Sequence, residues 1–227
     1  MQDCDGVLVN TAGGMTGGDE AVWSYTLDDG ARVGLTTQSA EKIYRSDRDS
    51  SRVRIEVKLG KRAVLSWLPQ EVILFNGAKF SRRLDVDMEE GAQLTLLEIT
   101  IFGRSAGGER VDQGSFQDRW FIRRQGRTIF AESVKLEGDV AGKLAEPAVG
   151  DGATAIATVL HVAPNAERRL TSARRVLARA SSECGASAWD GMLVARFVSR
   201  DALAVRRDAA LLASRFLKDG LPRIWSL

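Results

Sequence analysis

The chemical promise of this sequence lies in its acidic residues rather than in any nucleophile. Glu98 interrupts the apolar run Leu94 to Phe102, Glu132 interrupts Thr128 to Leu136, and Asp19 follows the segment Gly13-Gly14-Met15-Thr16-Gly17-Gly18. With strand alternation, Leu94, Leu96, Glu98 and Thr100 share one face while Thr95, Leu97, Ile99 and Ile101 share the other. Both faces are largely apolar, as in a strand covered on both sides, so Glu98 is expected to be buried. A buried carboxylate is costly unless it is paired or used. The structural alternative is a salt bridge, with Arg104 or Arg119 as candidate partner. Glu132 poses the same question.

Other chemistry fares less well. There is one histidine, His161, inside the apolar run Ile156 to Ala163, where a satisfied core residue is the expected role. Cys4 and Cys184 lie far apart and read as free thiols. A tight zinc or nickel site built from this chain alone would lack the usual nitrogen and sulfur ligands. Any metal it handles must meet carboxylates, or ligands shared with a partner. No Gly-x-Ser-x-Gly elbow is present. The glycine-rich segment has no Lys-Ser/Thr pair, and Ala21 to Leu27 after it alternates like a strand, so a sharp reversal with close backbone packing is favoured over a phosphate loop. Glu71 follows Pro69 and Gln70 at the start of an apolar run; a carboxylate bonded to nearby backbone amides is the structural reading.

The elements that must position these groups are mostly strands. Arg52 to Leu59 alternates apolar and charged residues, and Val33–Thr37, Ala63–Trp67, Val72–Phe75, Leu94–Phe102, Trp120–Arg124 and Thr128–Leu136 are further candidates. Gly30, Gly60 and Gly91 fall at nearly equal steps, each followed by a strand-like run. That spacing suits stacked, β-helix-like strand pairs or an ordinary sandwich. Two helices are expected late in the chain, over Ala166–Ala180 and Asp201–Lys218, with a strand over Met192–Val198 between them. The expected fold is therefore mostly β, with a β-rich body over 1–150 and a smaller α/β part over 151–227 packed on it, the two forming one structural domain.

A net charge of +2 over 227 residues argues against a whole-molecule nucleic-acid or membrane footprint. The arginine-rich helix (Arg168, Arg169, Arg174, Arg175, Arg179) leaves a local nucleic-acid surface as a rival, with a solvated or protein-binding face favoured. The opening Met1-Gln2-Asp3-Cys4-Asp5 lacks the pattern of a secretory signal, and no apolar run reaches the ~18 residues of a membrane helix. The cytoplasm is the expected location.

Four ordered blocks give the sequence a resemblance. They are Asn10 to Asp19, Leu35 to Arg45 (ending Ile43-Tyr44-Arg45), Trp67-Leu68-Pro69-Gln70-Glu71 through Ala78, and Phe102-Gly103-Arg104 through Glu109, with Pro222-Arg223-Ile224-Trp225 at the end. Together they resemble the UreD (UreH) family of urease accessory proteins. The resemblance implies a non-catalytic, β-rich scaffold with two late helices that binds apo-urease and links it to UreF and, through UreF, to the GTPase UreG. It implies nickel in transit rather than a permanently bound cofactor, with Asp19, Glu98 and Glu132 as residues of the route, and no nucleic-acid or membrane partner. A rival enzyme, a metal-dependent hydrolase using Glu71, Glu98 and Glu109, needs a first shell that one histidine makes hard to assemble. Family members usually carry further residues ahead of the glycine-rich motif, so a fragment or a mis-assigned start is expected, with altered edge pairing. Gly107 stands where a bulkier residue is common, so the loop around it is expected to pack differently.

Overall fold

Period-two alternation organises the chain into rungs. The computed structural model describes residues 4–104 and 108–226, and the loop expectation at Gly107 lies outside them. The strands are β1 Cys4–Leu8, β2 Glu20–Leu27, β3 Arg32–Thr37, β4 Glu41–Ile43, β5 Ser51–Leu59, β6 Val64–Trp67 and β7 Val72–Leu74. They continue as β8 Lys79–Met88, β9 Gln93–Phe102, β10 Gly114–Arg124, β11 Arg127–Gly138, β12 Ala155–Val162, β13 Glu183–Trp189 and β14 Met192–Ser199. Helices are α1 Val140–Ala145, α2 Leu170–Leu177 and α3 Ala202–Ser214.

Successive turns of chain stack in parallel register. One five-stranded sheet runs β11-β10-β8-β5-β2, with Glu20, Arg52, Ser81 and Gln117 side by side across its four parallel strands. In the second sheet Arg32, Val64 and Gln93 form the matching row of β3, β6 and β9, while β4 and β7 continue the rungs beside the far end of β9. The antiparallel strands β12, β14 and β13 then extend that sheet from β9. The stacking is solenoid-like, the first of the two arrangements the glycine spacing allowed.

The repeated corner is not the one the glycines suggested. Gly30, Arg62 and Gly91 occupy equivalent left-handed positions, with φ of 72°, 56° and 70°, each followed by an alanine. Gly60 stands two residues before its corner, where an added Cβ would lie 2.6 Å from Asp29 Oδ1. It is small to let the neighbouring rung approach.

Two cores result. The faces between the sheets bury Ile55, Leu65, Trp67, Leu84, Leu94 and Phe116. The other face of the second sheet, through Leu97, Ile99, Val159 and Phe197, packs against Val205, Ala209 and Leu212 of α3. Strand β9 is thus covered on both sides, which is why its two faces read alike. The first expected late helix begins as a 3-10 turn, Ala166–Arg169, before α2, and the second is capped by Asp201, which accepts from Leu203 N at 2.9 Å. Residues 147–152 form a connection between α1 and β12, and β12 pairs directly with β9.

His161 is a core residue with one bond. Its Nδ1 lies 3.0 Å from Thr95 Oγ1, its ring stacks on Phe216 at 4.5 Å, and its Nε2 has no partner among the described atoms. Burial, with a smaller contribution from the Arg169 charge, pushes its pKa from 6.5 down to about 4. Below 6.5 the unfolded chain takes up a proton that the folded chain refuses, so stability must fall as pH drops through this window. Denaturant unfolding should show a loss on the order of 3 kcal/mol between pH 7 and 4 from this residue. In His161→Gln that part of the slope should vanish.

Candidate functional site

The four sequence blocks meet because they form the same corner of successive rungs. Met15 donates its N–H to Lys42 O (2.7 Å) and accepts from Tyr44 N (2.8 Å), threading the glycine loop against the end of β4. A Cβ on Gly14 would stand 2.5 Å from the Tyr44 ring, and one on Gly17 would be 2.7 Å from Asp49 O and closer still to the Ser46 hydroxyl. Gly13 and Gly18 adopt φ of 77° and 89°. The loop is a packing device followed by strand β2, as its sequence suggested.

Further along this corner the Tyr44 hydroxyl donates to Gly13 O at 3.2 Å, and Thr16 Oγ1 donates to Arg45 O at 3.1 Å. Tyr44 meets Phe75 edge-on at 5.1 Å, and Arg104 lies over Phe75 at 4.8 Å. Arg104 in turn pairs with Glu109 at 2.7 Å. Gly103, with φ of 89°, has Glu109 O so close that any side chain would collide with it. On the third block, Glu71 pairs with Arg206 of α3 at 2.7 Å, and Gln70 Oε1 accepts from the same guanidinium at 2.8 Å. Glu71 is thus held by an arginine rather than by the backbone amides anticipated. Arg206 lies 4.6 Å from the Trp225 ring, whose Nε1 donates to Leu68 O at 3.1 Å. Pro69, between β6 and β7, marks the break its chemistry requires.

The polar centre of the molecule is elsewhere, between the sheets. Arg82 of β8 donates from Nε to Asp118 Oδ1 (3.0 Å) and from Nη2 to Asp118 Oδ2 (2.5 Å), a bidentate pair with β10. Its Nη1 donates to Glu98 Oε2 of β9, in the other sheet. Two indoles complete the network: Trp67 Nε1 donates to Glu98 Oε1 at 2.8 Å and Trp120 Nε1 to Asp118 Oδ1 at 3.0 Å. Arg82 and Glu98 are 4% and 3% exposed, so water screens neither charge. The partner of Glu98 is therefore Arg82, not Arg104 or Arg119; Arg104 is committed to Glu109, and Arg119 points outward from β10.

Burial opposes the Arg82 charge, but the charges and hydrogen bonds of Asp118 and Glu98 outweigh it and hold the guanidinium protonated. Burial raises the Glu98 pKa, and the nearby Asp118 charge adds to the rise against the pull of Arg82. Arg82 thus serves two carboxylates at once, one from each sheet.

Glu98 and Glu132 line one small cavity, about 30 Å³, together with Arg82, Asp118, Trp120 and Thr158. Glu132, on β11, pairs with Arg196 of β14 at 2.9 Å. Asp19 does not line it. Exposed at the exit of the glycine loop, it accepts from Thr16 N at 2.8 Å. The structure thus joins two of the three anticipated carboxylates and leaves the third apart. Arg82, Asp118, Trp67 and Trp120 were not anticipated; their inward register on three strands is the signal that carries them. Among the described residues, no group of three His, Cys, Asp or Glu side chains is placed to hold a metal ion.

Fold and site together define a β-solenoid protein with an ion-pair network in its interior and helices covering one sheet. The family model described as UreD urease accessory protein matches residues 1–226. A protein named urease accessory protein UreD from Methylobacterium sp. (strain 4-46) is 45% identical over 226 residues, which cover 97% of this chain and 80% of the relative. Proteins with that name from Rhodopseudomonas palustris (strain BisA53) and Brucella suis (strain ATCC 23445 / NCTC 10510) are each 46% identical, covering 96% and 98% of this chain and 76% and 81% of their own lengths. The chain belongs to the UreD urease accessory protein family.

Removing one partner from a buried ion network strands the others. Arg82→Met should cost about 3–5 kcal/mol in denaturant unfolding. Adding Glu98→Gln and Asp118→Asn to that variant should recover most of the loss.

Proposed function

We propose that this protein acts in urease maturation as a non-catalytic scaffold in the cytoplasm. In this reading it binds apo-urease, links it to UreF and through UreF to UreG, and helps pass nickel toward the urease active site. Nickel is cargo here, and no cofactor stays bound. The observation that carries the reading, beyond family membership, is that Glu98 and Glu132 come from different sheets to line one cavity. Ni²⁺ binds imidazole and thiolate tightly, whereas a few carboxylates with room for water offer weaker, exchangeable coordination.

The hydrolase alternative loses its support on geometry. Glu71, Glu98 and Glu109 pair with three different arginines, Arg206, Arg82 and Arg104, and do not converge on a shared first shell. The nucleic-acid alternative weakens as well, because Arg169 and Arg174 of the basic segment donate to the carbonyls of Arg215 and Ala186.

The test is to co-express Glu98→Gln or Glu132→Gln with urease and its other accessory proteins. Each variant should still co-purify with urease and UreF, while nickel per urease active site falls several-fold. Normal nickel content with both variants would place the route elsewhere.

A further inference from the structure

The outer face of the five-stranded sheet carries three arginines in line. Arg54 of β5, Arg83 of β8 and Arg119 of β10 are direct neighbours in register, all on the solvent side. Adjacent strands lie about 4.8 Å apart, and like charges directly opposite one another destabilise a sheet. Two of the three are relieved within their own strand. Arg54 pairs with Glu56 at 2.7 Å, and Arg83 meets both oxygens of Asp85, at 2.5 and 3.1 Å. Glu56 and Asp85 are themselves neighbours in the next row, and the residue beside them on β10 is Phe121. An aromatic ring thus stands where a carboxylate would have completed the pattern. Arg119 makes no ion pair or hydrogen bond with the described residues.

The surroundings of Arg119 are rigid and open. Arg83 and Arg123 lie over the Phe121 ring at 4.9 and 5.9 Å, and Asp85 anchors both guanidinium groups. On the other side, β11 presents Ser133 beside Arg119 and Ala131 beside Phe121. Neither side chain is long enough to fold over the arginine. The spot is also separate from the interior network, because Asp118 and Trp120 point inward from the same strand.

We propose that Arg119 and Phe121 form a docking spot for an acidic segment of a partner protein. A carboxylate of that segment takes Arg119 as Glu56 and Asp85 take the arginines of the neighbouring rungs. The guanidinium can receive it by two parallel hydrogen bonds, and the ring supplies apolar contact. Arginine and aromatic residues are the side chains enriched at the anchors of protein interfaces. A nucleic acid fits this face less well. A duplex brings a negative charge about every 1.7 Å, and its phosphates would have to cross Glu56, Asp85 and Asp87. A folded protein can place one carboxylate at Arg119 and avoid those three.

The experiment follows the fluorescence anisotropy of a labelled helical peptide with glutamates and leucines on one face, added to the full chain. A DNA duplex oligonucleotide is the second probe. Arg119→Gln should weaken peptide binding about fivefold, the upper range for one exposed ion pair, and Arg119→Glu should weaken it further. Lys58→Gln removes the same charge from the same face two strands away and should bind like wild type. The unfolding midpoint of Arg119→Gln should hold or rise, since a like charge leaves the row. A fall in that midpoint would mark a structural role and overturn the proposal. So would a peptide that wild type does not bind, unchanged affinity in Arg119→Gln, or an equal loss in Lys58→Gln. Tighter binding of the duplex than of the peptide, lost in Arg119→Gln, would overturn it in favour of a nucleic-acid face.

Discussion

One buried guanidinium governs how the two sheets of this solenoid meet. A sandwich of parallel rungs is held elsewhere by apolar side chains, which tolerate small shifts of one sheet against the other. Arg82 removes that freedom, because it is bidentate to Asp118 in its own sheet and bonded to Glu98 across the gap. Trp120 donates to Asp118 Oδ1, which Arg82 also contacts, and Trp67 donates to Glu98 Oε1, the oxygen the arginine leaves free. Such a trio contributes little net stability against an apolar core of equal shape, and its value lies in fixing one alignment.

The same network gives the molecule a polar interior without a binding site of the usual kind. Three carboxylates reach one small cavity, yet each is met by an arginine. The corner built from the glycines, Tyr44, Arg104 and Glu109 serves a different purpose: it closes successive rungs on one side. Glu71 and Arg206 tie that body to the helical layer.

Much of the fold was legible because alternation is a direct consequence of strand geometry. β5, β6, β7 and β9 lie where their patterns place them, and α3 falls inside its expected span. β8 was missed, and the reason is physical: Arg82 sits on its inward face between Phe80 and Leu84, breaking the apolar stripe that identifies a strand. β13 was missed because its residues are small and its exposed face ends in Trp189. The corner at Arg62 was illegible for another reason, since a left-handed arginine carries no sequence mark that a glycine would. At the site, burial of Glu98 followed from its strand, but its partner depended on the pairing of β8 with β10, a long-range register no local pattern reports. Asp19 was read from its neighbours, and those glycines serve backbone packing, not the interior.

The central claim is that Glu98 and Glu132 belong to one route. A double-mutant cycle on nickel content of co-expressed urease tests it directly, using Glu98→Gln, Glu132→Gln and the pair together. Two residues on a single route act in series, so the double variant should be little worse than the more severe single one. Losses that multiply independently would contradict the account, since they would mean that the two carboxylates act at separate places.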